Sequence, residues 1–382
     1  MELYLHLPFC AKKCRYCDFA SYPGHEADMP AYVDAVLREA QARAEQLGAH
    51  PVETVFLGGG TPSLLPAPQL ARLLDGVCRF FPLQPGAEFT CEANPGTLAR
   101  PWLDTAVAHG MNRLSLGMQA YQPALLAMLG RIHNFAQVER SVTLAREAGI
   151  GNISLDLMFG LPGQTASQWD ETLRAALSLH PQHLSCYGLI PEEGTPLKAD
   201  LDARRLSLPE EDVERAMYDD ALAALAEAGY VQYEISNFAL PGYACRHNLG
   251  YWRQVPYLGL GAAASSMLPG SGSAAYLRET NPSGLSQYMN MVHSGTWQAR
   301  ERIAISPSEA RFETMMLGLR TTEGVSEAAF AAMHSVTLES CYGKRLRALA
   351  HEGLITHAEG CWRLTRRGMD VQNAVLVELM DE

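Results

Sequence analysis

The feature that most constrains the fold is a regular alternation of short apolar strands with amphipathic helices. Strand-like runs fall at residues 3–7, 52–57, 88–92, 113–117, 152–157 and 183–187. Helical patterns lie between them near 29–47, 67–80, 136–148, 167–179 and 209–228. Leu3, Leu5 and Leu7 share one face of the first run, with Tyr4 and His6 on the other. Strands and helices that alternate about every 30–40 residues build parallel βα units. Six such units predict an α/β fold, a partial (β/α)6 TIM-like barrel with its chemistry at the C-terminal strand ends.

Several polar or unusual residues fall at those ends. Cys10, Cys14 and Cys17 follow the first run and Gly58-Gly59-Gly60-Thr61-Pro62 the second. Glu92 closes the third, Gln119 follows the fourth and Asp156 lies late in the fifth. Alone, each reads equally well as a cap or a solvated loop residue; on one rim they point to a common ligand. Three thiolates in C-x3-C-x2-C spacing can hold three corners of a [4Fe–4S] cube and leave one iron open. The alternative is a structural zinc site with His6 or Asp18 as fourth ligand, although the spacing is not that of paired CxxC knuckles. A glycine run at a strand end lets backbone N–H groups approach a ligand.

Composition narrows the setting. The chain has nine cysteines, three of them clustered, which favours a reducing compartment and metal work over a disulfide framework. The formal net charge of −12 argues against nucleic-acid binding as the main task. The start, with Glu2 and His6 interrupting the apolar residues, is not a signal peptide, and no run of about 18 apolar residues spans a membrane. The expected location is the cytoplasm, with contact at a membrane surface left open.

With these motifs in order, the chain resembles the radical S-adenosylmethionine (SAM) superfamily. Within it the chain is similar to the oxygen-independent coproporphyrinogen III oxidase-like branch. The matching positions are Tyr4, Tyr16, Gly58–Pro62, Glu92 before Asn94-Pro95, Gly117-Met118-Gln119, Gly130-Arg131, and Asp156 before Gly160-Leu161-Pro162-Gly163. The resemblance implies a [4Fe–4S] cluster on Cys10, Cys14 and Cys17, with SAM chelating the open iron. It implies that Tyr4, Gly59 and Glu92 contact that SAM. It also implies that Tyr16, Gly60, Thr61, Gln119, Arg131 and Asp156 line the same rim, where the oxidase holds a second SAM. A reduced cluster in this superfamily cleaves SAM to a 5′-deoxyadenosyl radical.

Two departures from the oxidase stand out. Its fourth cysteine is replaced by Phe19, and its long segment ahead of the cluster loop has no counterpart before Cys10. His247-Asn248-Leu249-Gly250-Tyr251-Trp252 instead resembles a string of a heme-chaperone group in the same branch. His247 offers an imidazole to iron, and Tyr251 and Trp252 offer flat faces to a macrocycle. That resemblance implies heme binding and delivery to acceptor proteins, respiratory enzymes among them. The decarboxylating coproporphyrinogen III dehydrogenase is the alternative, and a zinc-stabilised winged-helix regulator a weaker one.

Three segments are expected: the partial barrel over 1–240, a barrel-completing segment carrying the His247 string over 241–305, and a winged-helix-like domain over 306–382. The last has helical patterns at 309–319, 326–333 and 338–352 before a hairpin near 354–365. Lys344, Arg345, Arg347, Arg366 and Arg367 are its basic residues, diluted by Glu339 and Glu352, so it reads as a protein-facing or lid domain.

Overall fold

The computed structural model describes residues 1–48 and 50–380. Its parallel strands are β1 (Glu2–Leu7), β2 (Val52–Gly59), β3 (Leu83–Ala93), β4 (Arg113–Gln119), β5 (Asn152–Phe159) and β6 (His183–Gly188). Between them run α1 (Met29–Leu47), α2 (Ala67–Phe80), α3 (Arg100–Ala108), α4 (Phe135–Glu147) and α5 (Ala166–Ser178), and α6 (Glu211–Glu227) follows. All six anticipated strands and five anticipated helices are present. Of the α-helices not anticipated up to α6, α3 buries Trp102, Leu103 and Ala106, and the others, Pro123–Met128 and Pro196–Asp202, are shorter still; none is long enough for a clear helical period.

The segment after α6 is rich in small and polar residues, yet it is regular. It forms β7 (Val231–Glu234), β8 (Asn237–Ala239), α7 (Arg246–Trp252), β9 (Tyr257–Leu260), β10 (Ser265–Pro269), β11 (Tyr276–Thr280), α8 (Leu285–Ser294) and β12 (Glu301–Ile305). Strand β9 adds a seventh parallel strand beside β1. The described strands of this sheet run β12-β11-β10-β9-β1-β2-β3-β4-β5-β6-β8-β7, so the ring stays open. One hydrophobic core underlies β1 to β6 and reaches α8.

The C-terminal segment has its own core, built from Met315, Phe330, Leu346, Trp362 and their neighbours. It comprises α9 (Pro307–Gly318), β13 (Val325–Ser326), α10 (Glu327–His334), α11 (Leu338–His351), β14 (Ile355–Ala358), β15 (Cys361–Leu364) and α12 (Gln372–Leu379). Strands β13, β15 and β14 form a small antiparallel sheet beside the helices, a winged-helix arrangement. Its basic residues do not make a free positive face: Arg366 pairs with Asp219, and Arg347 with Glu339. Among the described residues no helix is long and apolar enough to cross a membrane.

Helix α7 lies across the inner face of the open ring. Glu88 accepts from the backbone N–H groups of Arg246 and His247 at 3.0 and 3.0 Å, which fixes the start of the helix. Gly250 passes so close to Glu2 that a Cβ there would lie 1.7 Å from the carboxylate. Glu2 itself is buried, with Oε2 unpartnered. Burial, only partly offset by the N-terminal ammonium and the Thr54 hydroxyl, pushes its carboxyl up to about 8. A carboxyl raised from 4.5 to about 8 on folding costs stability as pH climbs through that window. Glu2→Gln should therefore raise the melting temperature at pH 9 and leave it nearly unchanged at pH 5. Thermal melts of both proteins across this range check the sign; an equal shift at both ends would contradict it.

Candidate cofactor site at the barrel rim

The cysteine loop is held from several sides. Thr61 N–H donates to the Phe9 carbonyl at 2.7 Å, tying it to the glycine turn. Arg15 N–H donates to the Leu129 carbonyl at 3.0 Å, and the Arg15 side chain pairs with Asp200. Tyr16 packs against a small apolar cluster that includes Leu126, Leu161 and Leu197. Cys10, Cys14 and Cys17 are free thiols, and all three line one cavity of about 400 Å3 at the C-terminal ends of the strands. Cys10 Sγ lies 3.6 Å from Thr61 Oγ1, and Cys14 Sγ accepts from Arg131 Nη1 at 3.5 Å.

The wall opposite the thiols carries two carboxylates. Gly59 N–H donates to Glu92 Oε2 at 3.1 Å. The glycine is required twice over: its φ is +102°, and a Cβ would fall 2.3 Å from the His6 ring. Glu92 is partly buried; burial and the nearby Asp156 push its carboxyl up to about 7, against the lowering effect of the Gly59 N–H. Burial also raises Asp156, but Ser185 and Ser115 hydrogen-bond it, and Arg113 and Arg131 favour its charged form. Arg131 is no surface residue: Nη2 donates to Asn94 Oδ1 at 2.7 Å and to the Gly117 carbonyl at 2.6 Å. Gln119 follows a register shift in β4 and has φ +64°, so this irregularity turns its side chain into the same cavity.

Tyr16, Gly59, Gly60, Thr61, Glu92, Gln119, Arg131 and Asp156 thus all line the thiol cavity. Tyr4 does not. It lines a neighbouring cavity and its hydroxyl is hydrogen-bonded to His6 Nδ1 at 3.0 Å. Several lining residues were not anticipated: Asn94, Arg113, Ser115, His183, Ser185, Tyr187 and Asn248. The signal for most of them is strand alternation. Arg113 and Ser115 precede Gly117 at two-residue steps in β4, as His183 and Ser185 precede Tyr187 in β6.

The His247 string needs correction. His247 is 1% exposed and stacks on Phe56 with ring centroids 5.2 Å apart. Its Nδ1 is hydrogen-bonded to Thr54 Oγ1 at 2.7 Å and its Nε2 to the Tyr251 hydroxyl at 3.0 Å, so neither nitrogen is free for iron. Burial and the Arg113 charge push its pKa down to about 3. Trp252 is covered by Arg320, whose guanidinium lies 4.8 Å from the ring centre, and Arg320 donates to Glu234 at 2.8 Å. Trp252 therefore helps clamp the C-terminal segment to the barrel, with Arg320 stacked on its ring. Tyr251 alone of the three reaches a cavity, the one that Tyr4 lines.

Residues 4–176 match the model of the radical SAM superfamily, and residues 305–371 that of the HemN C-terminal domain. The chain is 37% identical to the heme chaperone HemW of Bacillus subtilis, over 99% of each chain. It is 34% identical to the Escherichia coli protein of the same name, over 98% of this chain and 97% of that one. The chain belongs to the HemW family. This HemW-family chain is also 33% identical to the mitochondrial radical S-adenosyl methionine domain-containing protein 1 of Bos taurus, over 99% of its own length and 87% of the relative's. Its fold matches that of the Escherichia coli coproporphyrinogen III oxidase HemN with a TM-score of 0.84, at 23% identity over 99% of this chain and 89% of that one.

Membership of the radical SAM superfamily implies a [4Fe–4S] cluster and SAM. The thiol loop fits the cluster better than a single ion. Among the described residues no three His, Cys, Asp or Glu side chains converge to hold one metal ion. Zinc needs its ligands around one point, whereas a cube gives each thiolate its own iron. Replacing any one of Cys10, Cys14 or Cys17 by Ala should abolish the brown absorbance after anaerobic reconstitution, whereas Cys78→Ala should keep it. Iron and acid-labile sulfide assays on the same samples check this. Zinc at one per chain without sulfide would contradict it.

Proposed function

We propose that this chain is a heme chaperone that carries a SAM-ligated [4Fe–4S] cluster and hands heme to acceptor proteins, respiratory enzymes among them, in the cytoplasm. The observation that carries the reading is near end-to-end kinship with proteins named heme chaperone HemW, at 37% identity in one case. The cavity supports the cofactor part. In this reading Cys10, Cys14 and Cys17 would each hold one iron of the cluster, and Gly59 and Glu92 would hold SAM at the open iron.

The bound cluster and SAM supply one-electron chemistry at a sulfonium. The chain's own residues do the rest. Glu92 would accept a hydrogen bond from the SAM amino group, beside the Gly59 N–H that it already holds. Arg131 holds the Cys14 side of the loop against Asn94 and the Gly117 carbonyl. Asp156 and Gln119 face the ligand as hydrogen-bonding groups, with Tyr16, Gly60 and Thr61 completing the wall. His247 is not the iron ligand in this reading. It supports the α7 plug, so its substitution acts on stability and not on the heme spectrum.

Phe19, where the oxidase has its fourth cysteine, is 60% exposed at the cavity mouth and contributes no thiol. The reconstituted protein should bind heme at about one per chain, as a single-site carrier does, and form no protoporphyrinogen from coproporphyrinogen III. Heme titration and a porphyrin product assay on one sample check both halves. Multiple-turnover protoporphyrinogen formation would replace the chaperone reading with the dehydrogenase one. His247→Ala should melt lower and keep the Soret position; a shifted Soret band would restore His247 as ligand.

A further inference from the structure

A second cavity, of about 560 Å3, adjoins the thiol cavity at Gly59 and Phe19, which line both. Its floor is a row across three neighbouring strands. Tyr257 of β9 pairs with Met267 of β10, and Met267 pairs with Arg278 of β11. Its far wall is helix α9 of the C-terminal segment, with Glu313 and Leu317 facing in. Tyr251 of α7 closes one side, its ring 4.7 Å from that of Tyr257. A space between a sheet face and a helix is a slot, and the volume is in the range of small-molecule sites, about 300–1,000 Å3.

The chemistry of the slot is selective. Tyrosine rings, Met267 and Leu317 give broad apolar and polarisable faces. Among the described lining residues, Arg278 is the one guanidinium or ammonium group. It pairs with Glu313 at 2.9 Å, with the two side chains 35% and 15% exposed. A partly exposed pair of this kind is weak and exchangeable. A flat apolar ligand with a carboxylate at its edge would meet aromatic faces along its body and a guanidinium at its rim. The carboxylate would replace Glu313 as the partner of Arg278, forming the same charge-assisted bond.

Resting on the heme-chaperone reading, we propose that this slot is the heme site. The macrocycle lies against the Tyr257–Met267 face, and a propionate takes Arg278 from Glu313. Glu313 is then an internal competitor for the same cation, and a carrier that must release its cargo gains a built-in replacement for the departing carboxylate. The slot also lies between the barrel strands and the C-terminal segment, so movement of α9 would open it directly.

The test is a heme titration of the cluster-reconstituted full-length protein, followed at the Soret band. Wild type, Arg278→Gln and Glu313→Gln are each titrated with heme and with heme dimethyl ester, which lacks the propionate charges. Arg278→Gln should weaken heme binding by about tenfold, the loss of one charge-assisted bond. Glu313→Gln should tighten it, because the competitor is gone. The dimethyl ester should bind all three proteins alike. Unchanged heme affinity in both variants, or equal losses with heme and its ester, would overturn the slot while leaving the chaperone reading in place. Wild type that binds no heme would overturn the reading and the slot together. Cluster absorbance reports that each variant is folded, and the gain expected in Glu313→Gln cannot arise from misfolding.

Discussion

Seven parallel strands do not close a ring, and the inward faces of these seven carry charge. Glu2, Glu88, Glu92, Arg113 and Asp156 all belong to the strands that surround the interior, and each is buried or nearly so. Buried charge is tolerable only when it is partnered or when it is neutralised. The rest of the molecule is organised around that requirement. Helix α7 covers the lower part of the ring, with Glu88 on its first N–H groups and Thr54 on His247. The C-terminal segment covers the open side, where Arg320 bridges Trp252 and Glu234 and Thr322 N–H donates to the Tyr233 carbonyl at 3.1 Å. What remains uncovered is the upper end, and there the thiol loop sits.

The upper cavity balances its charges in a way that suits a zwitterionic ligand. Burial and Asp156 raise Glu92, while Arg113 and Arg131 favour the charged form of Asp156. A ligand amino group would find in Glu92 a hydrogen-bond acceptor beside the Gly59 N–H. The Gly59 contact makes the approach feasible, since a side chain there would collide with His6. His6 in turn is fixed by Tyr4 and by the Ala20 carbonyl, so a hydrogen-bonded chain links the glycine turn to the end of the cysteine loop. The second cavity begins at the other side of this chain. Two ligand spaces separated by Gly59, His6 and Phe19 follow from one strand end and one loop.

The barrel and its rim were legible because each rests on a local pattern. Strand alternation exposed Leu3, Leu5 and Leu7 as core, and cysteine spacing and the glycine run marked the loop and turn. What was not legible depends on long-range closure. His247 looks like a ligand in sequence because nothing local says that Thr54 and Tyr251 take its two nitrogens. Arg131 looks like a surface residue until Asn94 and Gly117 are brought around it. Tyr4 and Glu92 both sit on inward faces of the sheet, but the two cavities divide between them. The glycine- and serine-rich stretch hid six strands because each is only three to five residues long, too short to carry a clear periodicity of its own.

The central claim is that SAM is held by the open iron of a three-thiolate cluster beneath Gly59 and Glu92. Electron–nuclear double resonance on the anaerobically reconstituted, reduced protein tests it directly, with SAM labelled at the amino nitrogen and the carboxylate oxygens. The account predicts hyperfine couplings from both labels, and their loss in Gly59→Val, where a side chain would strike His6. A reduced cluster whose spectrum carries no coupling from either label at saturating SAM would contradict it.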